Sequence, residues 1–399
     1  MSESFLAYGR HQIDDDDIAA VVDVLKNGAL TCGPKVDAFE AAFAAKVGAR
    51  EAVVCSNGTT ALHLAMMGLD IGPGDVVIVP TVTFLSTANG ARMAGADVVF
   101  ADVCPDTGLL TADTLEEAFG RAGQPVKAVL PVHLNGQCVD IESIERVSRA
   151  HGAAVVTDCC HALGATYKGA LVGAPGDGQF EDMACFSLHP VKSIAMGEGG
   201  VVTMSDPDLA GRLRILRSQG MVRDPASWQQ VESGFSEGSG APNPWYYEMQ
   251  ELGYNYRATD LQCALGLSQL AKLDGFVARR RELAELYDRQ FEAQLNSLVP
   301  VSRTHTAESA WHLYPVLIDF RSQGRDRAAV MADLAELGVG TQVHYIPVSS
   351  QPYYEKLYGK QRFSGAERYY ERVLSLPIFP AMSDDDVERV VTCLGKVLR

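Results

Sequence analysis

A single lysine, Lys192, lies in a polar loop between two short apolar segments, residues 183–188 and 200–204. Ser187 precedes it by five residues, and the glycine-rich turn Gly197-Glu-Gly-Gly200 follows it. Glycines let a ligand approach the backbone closely, and a lysine amine can bond covalently to a carbonyl carbon, so Lys192 is a candidate nucleophile. The alternative is an ordinary solvated loop lysine, because charged side chains are mostly exposed. The surrounding residues have to decide between the two.

A turn of small polar residues, Ser56-Asn-Gly-Thr-Thr60, follows the apolar segment 52–55 and precedes a helical pattern. Free backbone N–H groups and the helix dipole make such a strand-to-helix turn a favourable site for a phosphate group. The same residue types also serve as plain helix caps, so this turn alone supports both interpretations.

Three more side chains stand at or just after the ends of predicted strands. Phe84 follows the segment 76–79, where its ring could stack on a planar ligand, although core packing is the commoner role of phenylalanine. Asp158 directly follows the segment 153–157, and a buried carboxylate there needs a cationic or hydrogen-bonding partner. His161 lies three residues further on. Taken as a pair without further context, Asp158 and His161 would more often be a helix cap and a core histidine than a functional site.

The order of these candidates along the chain favours chemistry. A phosphate site, a stacking ring, an acid and then a lysine are the parts that pyridoxal 5'-phosphate requires. The lysine forms a Schiff base, the acid keeps the pyridine nitrogen protonated, and the ring and phosphate are bound by the remaining groups. The sequence therefore predicts a pyridoxal phosphate site around Lys192.

The composition excludes several classes of partner. A formal net charge of −16 disfavours binding to nucleic acid or to an anionic membrane surface. No window approaches eighteen consecutive apolar residues, and the first ten residues lack a basic segment followed by an apolar core. The nine cysteines show no C-x-x-C pair, which favours reduced thiols over a disulfide framework and predicts no metal site. We expect a cytoplasmic enzyme with no membrane span.

Residues 51–205 alternate short Val/Ile/Ala-rich segments with helical patterns. This alternation predicts an α/β fold with a mostly parallel central sheet between layers of helices. In such sheets ligands bind at the carboxyl ends of the strands, which is where the candidate residues fall. The predicted strands are residues 52–55, 76–79, 97–101, 128–132 and 153–157, and the predicted helices between them are 60–69, 85–93, 115–121 and 141–151.

We predict two domains with a boundary at residue 250. Residues 1–250 form a large cofactor-binding domain with an N-terminal arm and a Gly/Ser/Pro-rich surface excursion at 220–249. Residues 251–399 form a smaller α+β domain, joined to the first by a long helix over 259–295. Its other predicted segments are residues 311–320, 327–337, 340–345 and 384–398.

The sequence resembles the sugar-nucleotide aminotransferases of the DegT/DnrJ/EryC1/StrS family from Tyr8 to its last helix. The resemblance implies the fold type I architecture of aspartate aminotransferase and a cofactor that cycles between pyridoxal and pyridoxamine 5'-phosphate. The most specific blocks are Ser56-Asn-Gly-Thr-Thr-Ala-Leu-His63, Asp158-Cys-Cys-His-Ala-Leu-Gly164, Phe186-Ser-Leu-His-Pro-Val-Lys192, Gly253-Tyr-Asn-Tyr-Arg257 and Thr341-Gln-Val-His-Tyr-Ile-Pro347.

This resemblance also implies a role for each site residue. Lys192 holds the cofactor and, once freed, moves a proton; Asp158 pairs with the pyridinium nitrogen. His161 stands where the family often has glutamine, facing the ring hydroxyl, and the sequence leaves open which way its hydrogen bond runs. The other implied cofactor residues are Thr59, Thr60, Phe84, Ser187 and, from the neighbouring subunit of a homodimer, Asn255. The implied substrate contacts are Tyr8, Leu30, Thr31, His344 and Tyr345.

A narrower resemblance, to members of the pseudaminic acid pathway, concerns the substrate. It implies transfer from L-glutamate to C4 of a UDP-linked 4-keto-6-deoxy-N-acetyl-hexose. Cys32 and Ser349-Ser350 differ from the residues that this resemblance predicts at their positions. The substrate could therefore also be another keto sugar linked to UDP, dTDP or GDP, or the amine could be added at C3. The blocks that carry this resemblance are Tyr8-Gly-Arg10, Leu30-Thr-Cys-Gly-Pro34, Trp245-Tyr-Tyr-Glu248 and Gln342-Val-His-Tyr-Ile-Pro347.

Two other functions are less consistent with the sequence. Dehydratase relatives carry a histidine in place of the cofactor lysine, whereas this chain has Lys192. A regulator or binding protein on the same fold would have no reason to retain Lys192, Asp158 and Ser187 together.

Overall fold

The computed structural model describes residues 5–174, 180–294, 298–303 and 307–398. Its strands are β1 Glu51–Cys55, β2 Val76–Pro80, β3 Asp97–Ala101, β4 Val126–Val129, β5 Ala154–Asp158, β6 Thr166–Tyr167, β7 Ala170–Leu171, β8 Met183–Ser187, β9 Gly200–Met204, β10 Met221–Val222, β11 Glu248–Met249, β12 Val299–Pro300, β13 Ala307–Glu308, β14 Tyr314–Leu317 and β15 Val373–Leu376. Its α-helices are α1 Asp15–Asn27, α2 Pro34–Val47, α3 Gly58–Gly68, α4 Leu85–Met93, α5 Ala112–Arg121, α6 Ile141–Ala150, α7 Pro207–Leu216, α8 Val231–Gly234, α9 Asp260–Gln294, α10 Arg327–Glu336, α11 Pro352–Tyr358, α12 Ser364–Arg372 and α13 Asp384–Val397.

The main sheet, as far as the described residues show it, has seven strands in the order β1-β9-β8-β5-β4-β2-β3. The pairs from β8 through β5, β4 and β2 to β3 are parallel, and β9 runs antiparallel to both of its neighbours. These strands are almost wholly buried, as expected for a sheet covered on both faces. The predicted α/β class with a mostly parallel central sheet is confirmed.

Two strands near the predicted site end differently from the prediction. The strand predicted over 128–132 ends at Val129, because Pro131 has no N–H group for the ladder. The chain stays alongside β5 through a single parallel bridge between Val132 and Asp158. The strand predicted over 153–157 includes Asp158 as its last residue, so that carboxylate is fixed by the sheet itself.

The long helix α9 packs against two separate cores. Its first half contributes Cys263, Leu270 and Val277 to the core around the main sheet, and its second half contributes Leu283 and Tyr287 to another core. This second core lies between α9, the sheet β12-β14-β15 and helices α10 and α13. The predicted end of the helix, Leu295, lies outside the described residues. The domain boundary at residue 250 stays a prediction.

Two segments have less regular structure than their patterns suggest. Residues 340–345 form no strand; Gln342 makes one isolated bridge with Ser375. The excursion 220–249 is closed at its base by β10 pairing with β11. Inside it, Trp228 packs edge-on against Tyr246, with ring centroids 4.7 Å apart. Within the described part of the chain, no helix is long and apolar enough to cross a membrane.

Candidate active site

A cavity of about 640 Å³ opens at the carboxyl ends of β1, β2, β5 and β8. Nine of the predicted site residues line it, although they come from distant parts of the sequence. They are Tyr8, Thr59, Phe84, Asp158, His161, Ser187, Lys192, His344 and Tyr345.

Lys192 lies half-buried in the loop between β8 and β9. Burial lowers the pKa of its amine from 10.5, against the opposing attraction of Cys160 and Asp158. A lowered pKa increases the fraction of free amine, which is the nucleophilic form. The Nζ atom lies 3.4 Å from Nε2 of His312, a histidine that the sequence did not single out.

The carboxylate of Asp158 is buried and held by two donors. The hydroxyl of Thr87 donates to Oδ2 at 2.7 Å, and the backbone N–H of Cys160 donates to Oδ1 at 3.0 Å. Because Thr87 gives its proton to Asp158, it accepts the 2.7 Å hydrogen bond from the hydroxyl of Thr83. Asp158 has no ion pair among the described residues, so a cationic ring nitrogen suits it as the missing partner.

His161 makes a hydrogen bond through each ring nitrogen. The backbone N–H of Asn135 donates to Nδ1 at 3.2 Å, so Nδ1 is the acceptor and Nε2 carries the proton. Nε2 lies 3.1 Å from the hydroxyl of Tyr345, which therefore accepts. Burial, and then the charges of Lys192 and His344, lower the pKa of His161 well below 6.5. His161 is a neutral imidazole, and the direction that the sequence left open is fixed by Asn135.

A small cradle lies where α3 begins, which we call the phosphate cradle: the N–H groups of Gly58 and Thr59 and the hydroxyls of Thr59 and Ser187. No hydrogen bond involves these two N–H groups within the described residues, as is usual at the start of a helix. A Cβ on Gly58 would lie 2.7 Å from Cβ of Ser187, so glycine keeps the cradle open. Thr59 also contacts Ser86, hydroxyl to hydroxyl, at 2.7 Å. The cradle fits the phosphate group of the predicted cofactor.

Thr60 is placed differently from Thr59. Its hydroxyl accepts from the N–H of Asn57 at 3.1 Å, and its own N–H donates to the Asn57 side chain at 2.9 Å. This reciprocal pair is a capping box. Both polar groups of Thr60 are engaged in starting α3, and the residue does not line the cavity.

The open side of the cavity carries aromatic rings. Phe84, just before α4, is 54% exposed, and its ring centroid lies 5.9 Å from that of Tyr345. The rings of Tyr8 and His344 lie 5.6 Å apart. Nδ1 of His344 lies 2.9 Å from the hydroxyl of Ser375, and burial lowers the pKa of His344 to about 3. A planar ligand could stack on the exposed ring of Phe84.

Besides Thr60, three predicted site residues lie outside this cavity. Asn255 is exposed and bridges to Ser218, Leu30 is 51% exposed, and Thr31 bridges to Thr259. Leu30 and Thr31 meet the start of α9, where the N–H of Asp260 donates to the carbonyl of Leu30. Met249, Leu252 and Tyr254, which precede Asn255 in the sequence, are also exposed. These three residues can complete a site only if a second copy of the chain places them there, which stays a prediction.

The structure adds residues to the site that sequence reasoning missed. Thr83 and Thr87 are four residues apart, a spacing that puts them on one face of a helix start and could have shown that they act together. Ser86, whose hydroxyl contacts that of Thr59, lies between them in the sequence. Nothing in the sequence indicated His312, because it contacts Lys192 from 120 residues away. Among the described residues there is no group of three or more His, Cys, Asp or Glu side chains that could hold a metal ion.

Comparison with known proteins identifies close relatives. The model of the DegT/DnrJ/EryC1/StrS aminotransferase family matches residues 11–395. The spore coat polysaccharide biosynthesis protein SpsC of Bacillus subtilis (strain 168) is 40% identical over 398 residues, 99% of this chain and 97% of that protein.

Solved structures agree with this match. Helicobacter pylori PseC, an aminotransferase involved in the biosynthesis of pseudoaminic acid, superposes with a TM-score of 0.88 at 28% identity and covers 99% of both chains. The PLP form of Spr1654 from Streptococcus pneumoniae superposes with a TM-score of 0.85 at 27% identity, over 99% of this chain and 98% of that one. Both the predicted fold and the predicted family are confirmed.

Proposed function

The chain belongs to the DegT/DnrJ/EryC1/StrS aminotransferase family, and from that premise we propose that it aminates C4 of a UDP-linked 4-keto-6-deoxy-N-acetyl-hexose. The amino donor in this proposal is L-glutamate. The activity is that of UDP-4-amino-4,6-dideoxy-N-acetyl-β-L-altrosamine transaminase, and the working form is a cytoplasmic homodimer. The match to PseC along the whole chain supports the choice of substrate.

The observation that carries the aminotransferase chemistry is the shared cavity of Lys192 and Asp158, with the phosphate cradle beside them. Pyridoxal 5'-phosphate is the cofactor, and when bound it supplies the electron sink that lets an amino group move between donor and acceptor. A protein of the same fold that only binds a ligand needs neither a lysine of lowered pKa nor a buried carboxylate without a cationic partner.

Each residue of the cavity has a defined task in this proposal. Lys192 anchors the cofactor and, when free, moves a proton to and from the reacting carbon. Asp158, oriented by Thr87, stabilises the positive charge of the ring nitrogen. His161 presents a neutral imidazole whose orientation is fixed by Asn135 and Tyr345. Phe84 covers one face of the ring and excludes water from it.

A second candidate substrate is another nucleotide-linked keto sugar, carried by dTDP or GDP or aminated at C3. The specific observation in its favour is the 40% identity to SpsC, which exceeds the 28% identity to PseC. The residues that would choose between sugars are the aromatic side chains Tyr8, His344 and Tyr345, which line the cavity.

The first experiment tests the chemistry with an absorbance spectrum of the purified protein. We expect a band of the lysine-bound cofactor that disappears in Lys192→Ala and bleaches when L-glutamate is added. The matched control is Lys26→Ala, which changes an exposed lysine on α1. A protein that stays colourless with added cofactor contradicts the proposal at the level of the reaction.

The second experiment tests the substrate with a panel of UDP-, dTDP- and GDP-linked 4-keto and 3-keto sugars. We expect amination of the UDP-linked 4-keto-6-deoxy-N-acetyl-hexose, with the position of the new amine read by NMR. Turnover at least tenfold faster for a dTDP- or GDP-linked sugar contradicts the proposed substrate and leaves the chemistry standing.

A further inference from the structure

His312 has the closest polar contact to the Lys192 amine. Its Nε2 lies 3.4 Å from Nζ, and within the described residues no other side chain forms a hydrogen bond with that atom. The ring of His312 also packs against the ring of His161, with centroids 4.5 Å apart. His312 thus stands between the predicted anchor of the cofactor and the residue predicted to face the ring hydroxyl.

The backbone on one side of His312 is fixed by a buried arginine. Nη1 of Arg280, on α9, donates to the carbonyl oxygens of Trp311 at 3.1 Å, His312 at 3.3 Å and Ile378 at 2.8 Å. The side chain of Arg280 is fully buried, and burial lowers the pKa of its guanidinium to about 10. Burying a cation with only carbonyl acceptors lowers the stability of the folded protein. The contacts of Arg280 therefore fix the backbone at His312 at the expense of stability.

The other side of the same segment is fixed by the loop after β4. Leu313 donates from its N–H to the carbonyl of Asn135 at 3.3 Å, and Ala310 donates to Gly136 at 3.2 Å. Gly136 has a φ of +92°, and a Cβ there would lie 3.0 Å from the nitrogen of Trp311. Trp311 itself has a φ of 48°, which is uncommon for a large side chain. Such strain persists where the surroundings hold a residue firmly.

The imidazole of His312 is neutral and has one usable nitrogen. Burial, and then the charges of Lys192 and Arg280, lower the pKa of His312 well below 6.5. Nδ1 is buried without a hydrogen-bond partner among the described residues. Only Nε2 is therefore available, and it points to Lys192. A neutral imidazole can accept from a protonated amine in one tautomer and donate to a free amine in the other.

We propose that His312 is a positioning residue for Lys192, which holds the lysine amine in the cavity whenever it is not bonded to the cofactor. A lysine that gives and takes protons needs a neighbour that can hydrogen-bond to both of its forms. His312 meets this need without adding a charge that would repel the ammonium form. The inference rests on Lys192 being the cofactor lysine, and is independent of the sugar.

The test compares two amides of different reach at one position. His312→Gln carries its terminal amide as far as Nε2 of histidine, whereas the amide of His312→Asn ends about where Nδ1 lies. Stopped-flow absorbance on the cofactor-free protein measures how fast added pyridoxal phosphate becomes lysine-bound. We expect the Asn variant to react at least about tenfold more slowly than the native protein and the Gln variant within about threefold of it.

A binding measurement separates positioning from damage to the pocket. Pyridoxamine phosphate cannot bond to the lysine, and its intrinsic fluorescence reports binding directly. We expect both variants to bind it within about twofold of the native protein, because the phosphate cradle and Asp158 are unchanged. His312→Met, of similar length but apolar, replaces the Asn variant if that variant does not fold, and should react equally slowly.

Three results would overturn the inference. One is native-like attachment of the cofactor in both the Asn and Met variants. Another is an equal loss of pyridoxamine phosphate affinity and attachment rate, which would make His312 a structural residue. The third is a Gln variant as slow as the Asn variant. If the native protein itself forms no lysine-bound cofactor, the proposed function fails, and with it the premise of the inference.

Discussion

The hydroxyl of Tyr345 accepts a hydrogen bond from Nε2 of His161 at 3.1 Å. The opposite ring nitrogen of His161 is occupied by the N–H of Asn135, so the imidazole has one tautomer and one orientation. These contacts connect the loop after β4, the turn after β5 and the segment after α10. The orientation of a residue predicted to contact the cofactor thus depends on Tyr345, which packs against the core around the main sheet.

The first prediction follows from the neutral state of His161. Its pKa lies well below 6.5, so it should not titrate between about pH 6 and 9. We expect His161→Gln to retain at least a third of the native kcat/KM with an unchanged pH profile, because an amide can donate to Tyr345 in the same way. We expect His161→Leu to lose roughly tenfold or more, since Tyr345 and Asn135 then lose their partner. The measurement is initial rate against pH. An acidic limb present in the native profile and absent from His161→Gln would contradict this prediction.

The second prediction concerns the hydroxyl that orients Asp158. Thr87→Val keeps the shape of the side chain but removes the donor to Oδ2. We expect the Kd for pyridoxal phosphate to rise about five- to tenfold, because a buried carboxylate loses one of its hydrogen bonds. Spectrophotometric titration of the cofactor-free protein measures this Kd.

A matched control for Thr87 lies next to Asp158 on β5. Within the part of the chain that the structure describes, the hydroxyl of Thr157 is buried without a hydrogen-bond partner, so Thr157→Val removes an unsatisfied group. We expect Thr157→Val to leave the Kd unchanged. If both variants weaken cofactor binding equally, the orienting role of Thr87 is wrong.

The third prediction concerns the open phosphate cradle. In Gly58→Ala the new methyl group would lie 2.7 Å from Cβ of Ser187. We expect a loss of stability of about 1 to 3 kcal/mol from overpacking and at least a tenfold loss of affinity for pyridoxamine phosphate. Urea unfolding and fluorescence titration measure the two effects. The control is Gly120→Ala on α5, where a Cβ meets open space. Alanine there should raise the free energy of unfolding by as much as about 1 kcal/mol. Unchanged affinity in Gly58→Ala would show that the phosphate binds elsewhere.

The fourth prediction links buried histidines to acid stability. Burial lowers the pKa of both His133 and His344 from 6.5 to about 3. Below pH 6.5 the unfolded chain binds protons at these residues and the folded chain does not, so stability falls as the pH falls. Each histidine contributes about 1.4 kcal/mol per pH unit, and the pair about 3 kcal/mol between pH 7.5 and 5.5.

Urea unfolding at several pH values measures this dependence. His133→Gln should reduce the slope of the free energy of unfolding against pH by the contribution of one histidine, whatever it does to stability at pH 7.5. His11→Gln, at an exposed position, should leave the slope as it is. A slope identical in all three proteins below pH 6.5 would exclude His133 as a source of the pH dependence.

The fifth prediction tests whether Asn255 acts in the site of a neighbouring subunit. Asn255 is exposed and lies outside the cavity of its own chain, whereas Lys192 lines it. Lys192→Ala and Asn255→Ala should each be nearly inactive alone. Mixed and allowed to exchange subunits, they should regain roughly a quarter of native activity, because half of the dimers then carry one intact site. The control mixes Lys192→Ala with Asp158→Asn, two changes in the same cavity. Recovery in that control, or none in the test mixture, would contradict a shared site.

The sequence by itself determined the strands of the main sheet and the identity of the cofactor. Short continuous Val/Ile/Ala-rich segments predicted strands of the main sheet to within a few residues, since local pattern and turn chemistry decide where a strand begins and ends. The order of turn, ring, acid and lysine predicted pyridoxal phosphate because each of these residues follows a strand, and parallel strands bring their carboxyl ends to one edge. Asp158 and Lys192 needed no tertiary information to be recognised.

Only the tertiary structure decided the contacts that give these residues their properties. His312 reaches Lys192 because Arg280 and Gly136 hold its backbone, and such long-range packing has no local signature in the sequence. Thr59 and Thr60 are identical in type, yet only one faces the cavity, because the turn of α3 points the other into the cap. Burial likewise lowers the pKa of His133, His161, His312 and His344, since the cost of an ion depends on what surrounds it in three dimensions.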